Sequence, residues 1–328
     1  MKKILLIQHR QIGDVLMCTP AVRAIRKKFV EAEITFMVEK FSYRTLSDNP
    51  NIDKFIIPSR KMSLSEYIKL LLKLQREKFD IVIDFFHNPK SASITWFSRA
   101  EKRISFTTKW RNYAYTIKVD PGDDNQYAAL QNLRLLRPLG IENNEGYSLD
   151  FFINEEDREW ANNLWDKLNL KSDDLILALS PVSRRSYKVW PSECYAQLSD
   201  YLIKKYGAKI LFTWGPGEKS FINAITSKMK QKPIVDYPMP TIKQLKAIFE
   251  KSSFFIGNDN GPRHIAISAG IPTVGLFGKT NPYHWTPPNS QMHTIISNGK
   301  RGMRNLSLQS VMKEIDSKFE ILSTYDKQ

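Results

Sequence analysis

Gly257-Asn258-Asp259-Asn260-Gly261-Pro262-Arg263-His264 follows the apolar run Phe254-Phe255-Ile256 and leads into Ile265 to Gly278. The apolar run, bounded by turn formers, reads as a buried strand. Pro262 suits the first turn of a helix, where its missing N–H costs nothing. Exposed N–H groups at a helix start suit a phosphate, and Asp259 and His264 can reach sugar hydroxyls or a diphosphate. The same spacing also fits an ordinary strand–helix corner with capping residues.

Four further strand exits carry reactive types. Gly13-Asp14 lies in the first strand-to-helix turn. A carboxyl with an ordinary pKa of about 3.9 is ionised at neutral pH, and a positioned carboxylate base is worth roughly 10²–10⁴-fold in rate. Asp14 could equally be an N-cap worth about 1 kcal/mol. Ser180 to Pro191 is basic and rich in hydroxyls, and Lys188 offers a diphosphate a point charge. An exposed basic loop is the plainer alternative. Phe212 to Glu218 is another exit, where Glu218 could bond ribose hydroxyls or cap a helix, and Asn88-Pro89-Lys90-Ser91 could grip a carboxylate or phosphate.

Several chemistries lack their residues. The first turn has no G-x-G-x-x-G spacing, which argues against a nicotinamide or flavin enzyme. His9, His87, His264, His284 and His293 are dispersed, Cys18 and Cys194 stand far apart, and no metal-ligand spacing, nucleophile elbow or P-loop is present.

The elements that must position these residues alternate. Strands at Lys3–Ile7, Ile34–Val38, Phe55–Ile57 and Ile81–Phe85 are interleaved with a helix from Val15 to about Lys28 and another that a capping box at Ser63-Leu64-Ser65-Glu66 opens. The pattern loosens between Ser98 and Gly146, and a polar helix at Glu155–Leu168 leads to a linker at Lys171–Asp174. Alternation resumes with strands at Leu175–Leu179, Lys209–Thr213, Phe254–Ile256 and Thr273–Phe277, and with helices at Glu193–Tyr206, Glu218–Lys230 and Ile242–Glu250. Such alternation predicts two doubly wound parallel-sheet domains facing a cleft, over residues 1–170 and 171–306. A last helix, Ser307 to Leu322, could cap either half.

The formal net charge is +15. It admits nucleic acid, an anionic membrane surface or an acidic substrate as partner, or simply a basic soluble surface. No nucleic-acid motif accompanies it. The apolar run after Met1-Lys2-Lys3 is too short for a signal peptide, and no stretch approaches the roughly 20 apolar residues of a membrane span. A cytoplasmic protein is expected.

Taken together, four of these stretches resemble the lipopolysaccharide heptosyltransferases, glycosyltransferase family nine. They are Ile4-Leu5-Leu6-Ile7 through Gly13-Asp14-Val15-Leu16 and Thr19-Pro20-Ala21; Ser183 with Lys188 and Trp190-Pro191; Thr213-Trp214-Gly215 with Glu218; and Asp259-x-Gly261-x-x-His264, followed by Gly270-Ile271-Pro272 and Leu276-Phe277-Gly278-Lys279-Thr280-Asn281-Pro282. The resemblance implies a GT-B enzyme, with acceptor in the first domain, nucleotide-sugar in the second, and a final helix (307–328) crossing back to the first. It implies metal-independent, inverting transfer of heptose from ADP-heptose to the lipopolysaccharide inner core, at the cytoplasmic face of an anionic inner membrane to which the protein binds peripherally. No cofactor is then needed, the nucleotide-sugar being substrate. Asp14 is the implied base. Ser183 and Lys188, with N–H groups around Asn260, Gly261 and Arg263, the residue after Pro262, would hold the diphosphate. Asp259 would bond the heptose, His264 support the phosphate loop and Glu218 bond the ribose. Lys90, Ser91 and Arg10 fall on the acceptor side. Departures from the family pattern are Asn260 in place of a hydroxyl residue, Arg263 as an added charge beside the diphosphate, and Lys279 where Pro is frequent. The rival expectations are another nucleotide-sugar on the same scaffold, a homologue that binds donor without turnover, and a basic nucleic-acid-binding protein.

Overall fold

The computed structural model describes residues 1–142, 146–289 and 291–325. Its chain forms two compact units, Met1–Phe152 and the remainder from Ile153. The first unit runs β1 (Lys3–Gln8), α1 (Ile12–Leu16), α2 (Thr19–Lys28), β2 (Glu33–Val38), α3 (Lys40–Tyr43), β3 (Lys54–Ile56), α4 (Leu64–Glu77), β4 (Ile81–Asp84), α5 (Pro89–Phe97), β5 (Lys102–Phe106), β6 (Ile117–Val119) and α6 (Ala128–Arg134).

Its six strands form one sheet in the order β3-β2-β1-β4-β5-β6, and every pairing is parallel. Side chains alternate across β1, so each face needs its own cover. Ile4 and Leu6 pack with Val22 and Ile25 of α2 and Leu133 of α6. Leu5 and Ile7 pack with Leu71 and Leu74 of α4 and Ile94 of α5. Burial on both faces is why β1 reads as a continuous apolar run. Strand order reverses between β1 and β4, so the carboxyl ends of these two strands open the ligand crevice of this unit.

The single helix expected from Val15 to Lys28 is instead two. Pro20 has no N–H to give the Leu16 carbonyl. The Thr19 hydroxyl takes that carbonyl at 2.8 Å, and a new helix starts there. The Ser63–Glu66 capping box forms as read.

The second unit runs α7 (Glu155–Lys167), β7 (Ile176–Ser180), α8 (Ser192–Tyr206), β8 (Lys209–Phe212), α9 (Lys219–Thr226), α10 (Ile242–Glu250), β9 (Phe254–Asn258), α11 (Gly261–Ser268), β10 (Thr273–Phe277), α12 (Pro282–Trp285), β11 (His293–Ser297) and α13 (Leu308–Tyr325). Its parallel sheet has the order β11-β10-β9-β7-β8, reversing between β7 and β9. The expected α/β class with two parallel-sheet domains is therefore the observed one.

One boundary and one strand differ from the expectation. The first domain is expected to end at 170, but α7 packs on α10, where Arg158 bonds Glu250 at 3.3 Å and Lys251 bonds Asn162 at 2.9 Å. These contacts place the division before α7. β11 was not anticipated, because His293-Thr294-Ile295-Ile296-Ser297 has only two apolar residues and no alternation. The C-terminal helix α13 buries Val311 and Ile315. Asp316 accepts from the hydroxyls of Tyr201 and Tyr206 in α8, both at 2.6 Å, and Phe319 lies edge-on to Tyr206 and to Phe254. These contacts seat α13 on the second unit. The Leu322 side chain and residues beyond 325 lie outside the described residues.

Candidate active site

In the second unit the loops after β7 and β9, the two strands at the reversal, are tied together by polar side chains. Lys188 ends a 3-10 turn, Ser186–Lys188, and its ammonium meets the Asp259 carboxylate at 2.5 Å, with Asp259 only 5% exposed. Ser183 is half-buried at the head of the Lys188 loop. Asn258, the last residue of β9, is buried. Its Nδ2 donates to the Pro181 carbonyl at 2.6 Å and its Oδ1 accepts from the Tyr195 hydroxyl at 2.8 Å. Asn260 is the N-cap of α11: its Oδ1 accepts from the Arg263 N–H at 3.1 Å, and its Nδ2 donates to the Val182 carbonyl at 2.8 Å and the Ser180 hydroxyl at 3.0 Å.

These bonds reassign several residues. The Asn260 amide holds the two loops together, so it is not a donor aimed outward at a phosphate. The Arg263 N–H is taken by that cap and Pro262 has none. Gly261 is thus the remaining donor among the first three helical positions. The Arg263 side chain was expected beside the diphosphate, but it is fully buried. Its guanidinium donates to the Trp285 carbonyl and the Thr286 hydroxyl, both at 3.0 Å, and lies over the Phe277 ring. A long cation inside a helix finds its acceptors where the chain passes close by, here on and after α12.

His264 is buried, and burial together with the neighbouring Arg263 charge lowers its pKa to about 3. Its ring is therefore neutral at pH 7, tilted against Trp285 at 5.8 Å. Glu218 stands at the N-cap position of α9 but makes no side-chain cap bond there; its carboxylate accepts from the Gly215 N–H at 2.7 Å. It lies at the exit of β8, the strand beside β7.

In the first unit, the exits of β1 and β4 converge. Asp14 is not an N-cap, since Gln11 holds that position and Asp14 is the third residue of α1. Burial raises its pKa, and the Arg10 guanidinium, 3.4 Å away, works against the rise. Arg10 also covers the Phe86 ring at 5.0 Å. His9 is buried beside Phe86, and burial and the Lys90 charge lower its pKa to about 4. Burial also lowers the pKa of His87, with further lowering from Arg10 and Arg111. The Asp14 carboxylate thus pairs with Arg10, while Lys90 and Arg111 act on the neighbouring His9 and His87. Ser91, expected to contact an acceptor, is fully buried; it caps α5 reciprocally with Asn88, its N–H donating to Asn88 Oδ1 at 2.7 Å while its hydroxyl accepts from the Asn88 N–H at 3.0 Å. Lys90 is half-buried next to it, its ammonium over the Tyr67 ring.

The loop bearing Lys90 is shaped by a residue that sequence reasoning passed over. Asp84, the last residue of β4, is completely buried. It accepts from the Phe86 and His87 N–H groups at 3.0 and 2.9 Å and from the Tyr115 hydroxyl at 2.8 Å, and His87 takes a left-handed conformation, φ 41°. A carboxylate ending an otherwise apolar strand was the available signal. Among the described residues, no three His, Cys, Asp or Glu side chains form a group able to hold a metal ion.

Comparison with known proteins places this geometry in context. Residues 67–316 match the model of glycosyltransferase family 9 (heptosyltransferase). Lipopolysaccharide heptosyltransferase 3 of Escherichia coli is 23% identical over 300 residues, covering 85% of this chain and 84% of that protein. Among solved structures, a glycosyl transferase family 9 protein from Veillonella parvula superposes with a TM-score of 0.80 at 26% identity, covering 90% of this chain and 86% of that one. An E. coli heptosyltransferase solved with ADP superposes with a TM-score of 0.75 at 18% identity, covering 96% and 99%.

Proposed function

The chain belongs to glycosyltransferase family 9, the heptosyltransferase family, and from that premise we propose that it moves a heptose from ADP-heptose to the inner core of lipopolysaccharide by a metal-independent, inverting displacement. The observation that carries this is the Lys188–Asp259 pair at the strand reversal of the second sheet. It presents one cation for a diphosphate and one carboxylate for sugar hydroxyls at the position where parallel sheets bind ligands. The names of the relatives support the sugar and the acceptor, and the neighbour solved with ADP supports the nucleotide.

In this reading the acceptor oxygen forms a bond to the anomeric carbon as the bond from that carbon to the β-phosphate oxygen breaks. ADP leaves with the electron pair, and Asp14 takes the acceptor's proton. A single in-line displacement inverts the anomeric centre. Lys188 turns from Asp259 to the diphosphate and stabilises its growing charge, which frees Asp259 for the heptose. Ser183 and the Gly261 N–H add donors to the diphosphate. His264, neutral and buried, supports the loop, and Glu218 takes the ribose. Arg10 and Lys90, with Arg111 near them, suit an anionic acceptor. Ser91 and Asn260 serve by fixing the loops that carry Lys90 and Asp259. The nucleotide-sugar is substrate, so no cofactor enters, and transfer takes place at the cytoplasmic face of the inner membrane.

Thermal-shift ranking tests the donor: ADP should stabilise the protein more than UDP or GDP, and Lys188→Ala should weaken ADP by roughly 10–100-fold, the worth of a charge-assisted hydrogen bond. Incubation with ADP-heptose and heptose-deficient core in the presence of EDTA should add the mass of one heptose. Stronger stabilisation by UDP or GDP, or no mass gain, would overturn the assignment.

A further inference from the structure

The helix α4 carries more apolar surface than its core contacts use. Leu71 and Leu74 are buried against the sheet, with Tyr67 and Leu70 beside them. Leu64, Ile68 and Leu72 recur every four residues and are 75%, 47% and 47% exposed. One step further round the helix come Lys69, Lys73 and Arg76, all exposed. At about 100° per residue, the core stripe, the exposed apolar stripe and the basic stripe therefore follow one another around one cylinder. A helix serving only the core needs the first of these and a polar remainder.

The neighbouring elements extend the pattern. The helix α5 lies against α4, joined to it by a hydrogen bond between Tyr67 and Ser93 at 2.5 Å. Its last turn exposes Trp96 and Phe97, which are 47% and 41% accessible. The Trp96 ring lies edge-on to Phe97 and to Tyr113, and Tyr113 is itself 62% exposed. Trp110, three residues before Tyr113, is 84% exposed between Lys109 and Arg111. Large aromatic side chains with a polar edge, set among cations, suit the boundary between headgroups and acyl chains.

We propose that this face, the α4 apolar stripe with its basic flank and the Trp96–Tyr113 aromatic group, is a docking surface for an anionic phospholipid bilayer. The charge selects the occupant. A protein partner covering Leu64, Ile68 and Leu72 would need matching carboxylates for the basic stripe, whereas an anionic bilayer supplies both apolar depth and negative charge to a helix lying in its plane. The inference rests on the reading of a lipid-linked acceptor, and it gives that reading a surface on the unit that carries Asp14.

Flotation of the full-length protein with vesicles tests it without any sugar transfer. Vesicles of phosphatidylethanolamine and phosphatidylglycerol (3:1) should carry the protein up the gradient at low salt, while phosphatidylcholine vesicles should not, and Trp fluorescence should shift to the blue on binding. L64S/I68S/L72S and K69E/K73E/R76E should each cut the bound fraction at least tenfold, whereas K232E, on the second unit, should leave it near wild type. All three variants should keep wild-type transfer to a delipidated acceptor, since these exposed residues touch neither Asp14 nor Lys188. No binding to anionic vesicles, binding indifferent to both triple substitutions, or a solution dimer abolished by L64S/I68S/L72S would overturn the proposal. Vesicle binding with no transfer to any acceptor would leave the docking surface standing and remove the enzymatic reading instead.

Discussion

Asp14 is held between two opposed effects. Burial raises its pKa, and the Arg10 guanidinium at 3.4 Å lowers it. A general base acts in its ionised form, so turnover falls as pH drops through the Asp14 pKa. Replacing Arg10 with Gln removes the lowering influence, leaves burial in place, and should move the acid limb of the kcat/KM profile to higher pH. A limb that stays put or moves down would separate Asp14 from that limb. Asp14→Asn should reduce turnover by about 10²-fold or more while leaving ADP affinity unchanged, because the residues proposed to bind ADP lie in the second unit; calorimetric titration with ADP checks the second half. At this scale the sequence shows where a charge follows a strand, as at Asp14, Lys188 and Asp259. It was illegible where a polar side chain is consumed by its own loop. Asn260 and Ser91 have the same donors and acceptors whether they face a ligand or a neighbouring backbone group, and only the fold shows that Val182 and Asn88 already hold them.

Strands carry the next level of constraint, and two strand positions make stability predictions. Gly275 of β10 pairs with Gly257 of β9. A Cβ at 275 would meet the Arg263 guanidinium and the Phe277 ring. Arg263 cannot retreat without giving up Trp285 and Thr286. Gly275→Ala should therefore cost about 1–3 kcal/mol, the usual price of overpacking a core. The added cost should shrink in an Arg263→Ala background, a coupling that calorimetry on the four proteins of the cycle would read; equal costs in both backgrounds would remove Arg263 as the cause. At the end of β4, burial raises the pKa of Asp84 to about 6. A carboxyl whose folded pKa exceeds its unfolded value of about 3.9 binds more protons folded than unfolded between the two. Its contribution is therefore complete below about pH 4 and is lost as pH rises through 6, some 3 kcal/mol in all. Melting curves of wild type and Asp84→Asn should accordingly differ in slope between pH 4 and 6.5, wild type losing more stability as the pH rises. The alternation of strands and helices showed both sheets in advance, because parallel strands buried on two faces read as apolar runs. It could not show β11 or the break at Pro20. One has too few apolar residues to stand out, and the other depends on which carbonyl Thr19 reaches.

At the level of the whole molecule, the division before α7 sorts the proposed chemistry into two separable parts. Each unit has its own all-parallel sheet with its own strand reversal. Ser183, Lys188, Glu218, Asp259, Gly261 and His264 all follow Ile153, while Asp14, Arg10 and Lys90 all precede it. Composition alone did not reveal this, since the basic charge runs through both halves and the polar α7 looked like the tail of the first domain. Its pairing of Arg158 with Glu250 assigns it to the second. A fragment starting at 153 therefore keeps α7 over α10, whereas one starting at 171, the boundary read from sequence, loses that helix with its buried Ala161, Leu164 and Trp165 and uncovers the face of α10 beneath it. Expressed alone, the 153–328 fragment should melt cooperatively and bind ADP within a few-fold of the intact chain, with no transfer activity. The 171–328 fragment should melt at least several degrees lower, about 2–4 °C for each kcal/mol of lost packing in a unit of this size. Equal stability of the two fragments would mean that α7 belongs to neither core. Loss of ADP binding in the longer, folded one would mean that the donor site draws on residues before 153.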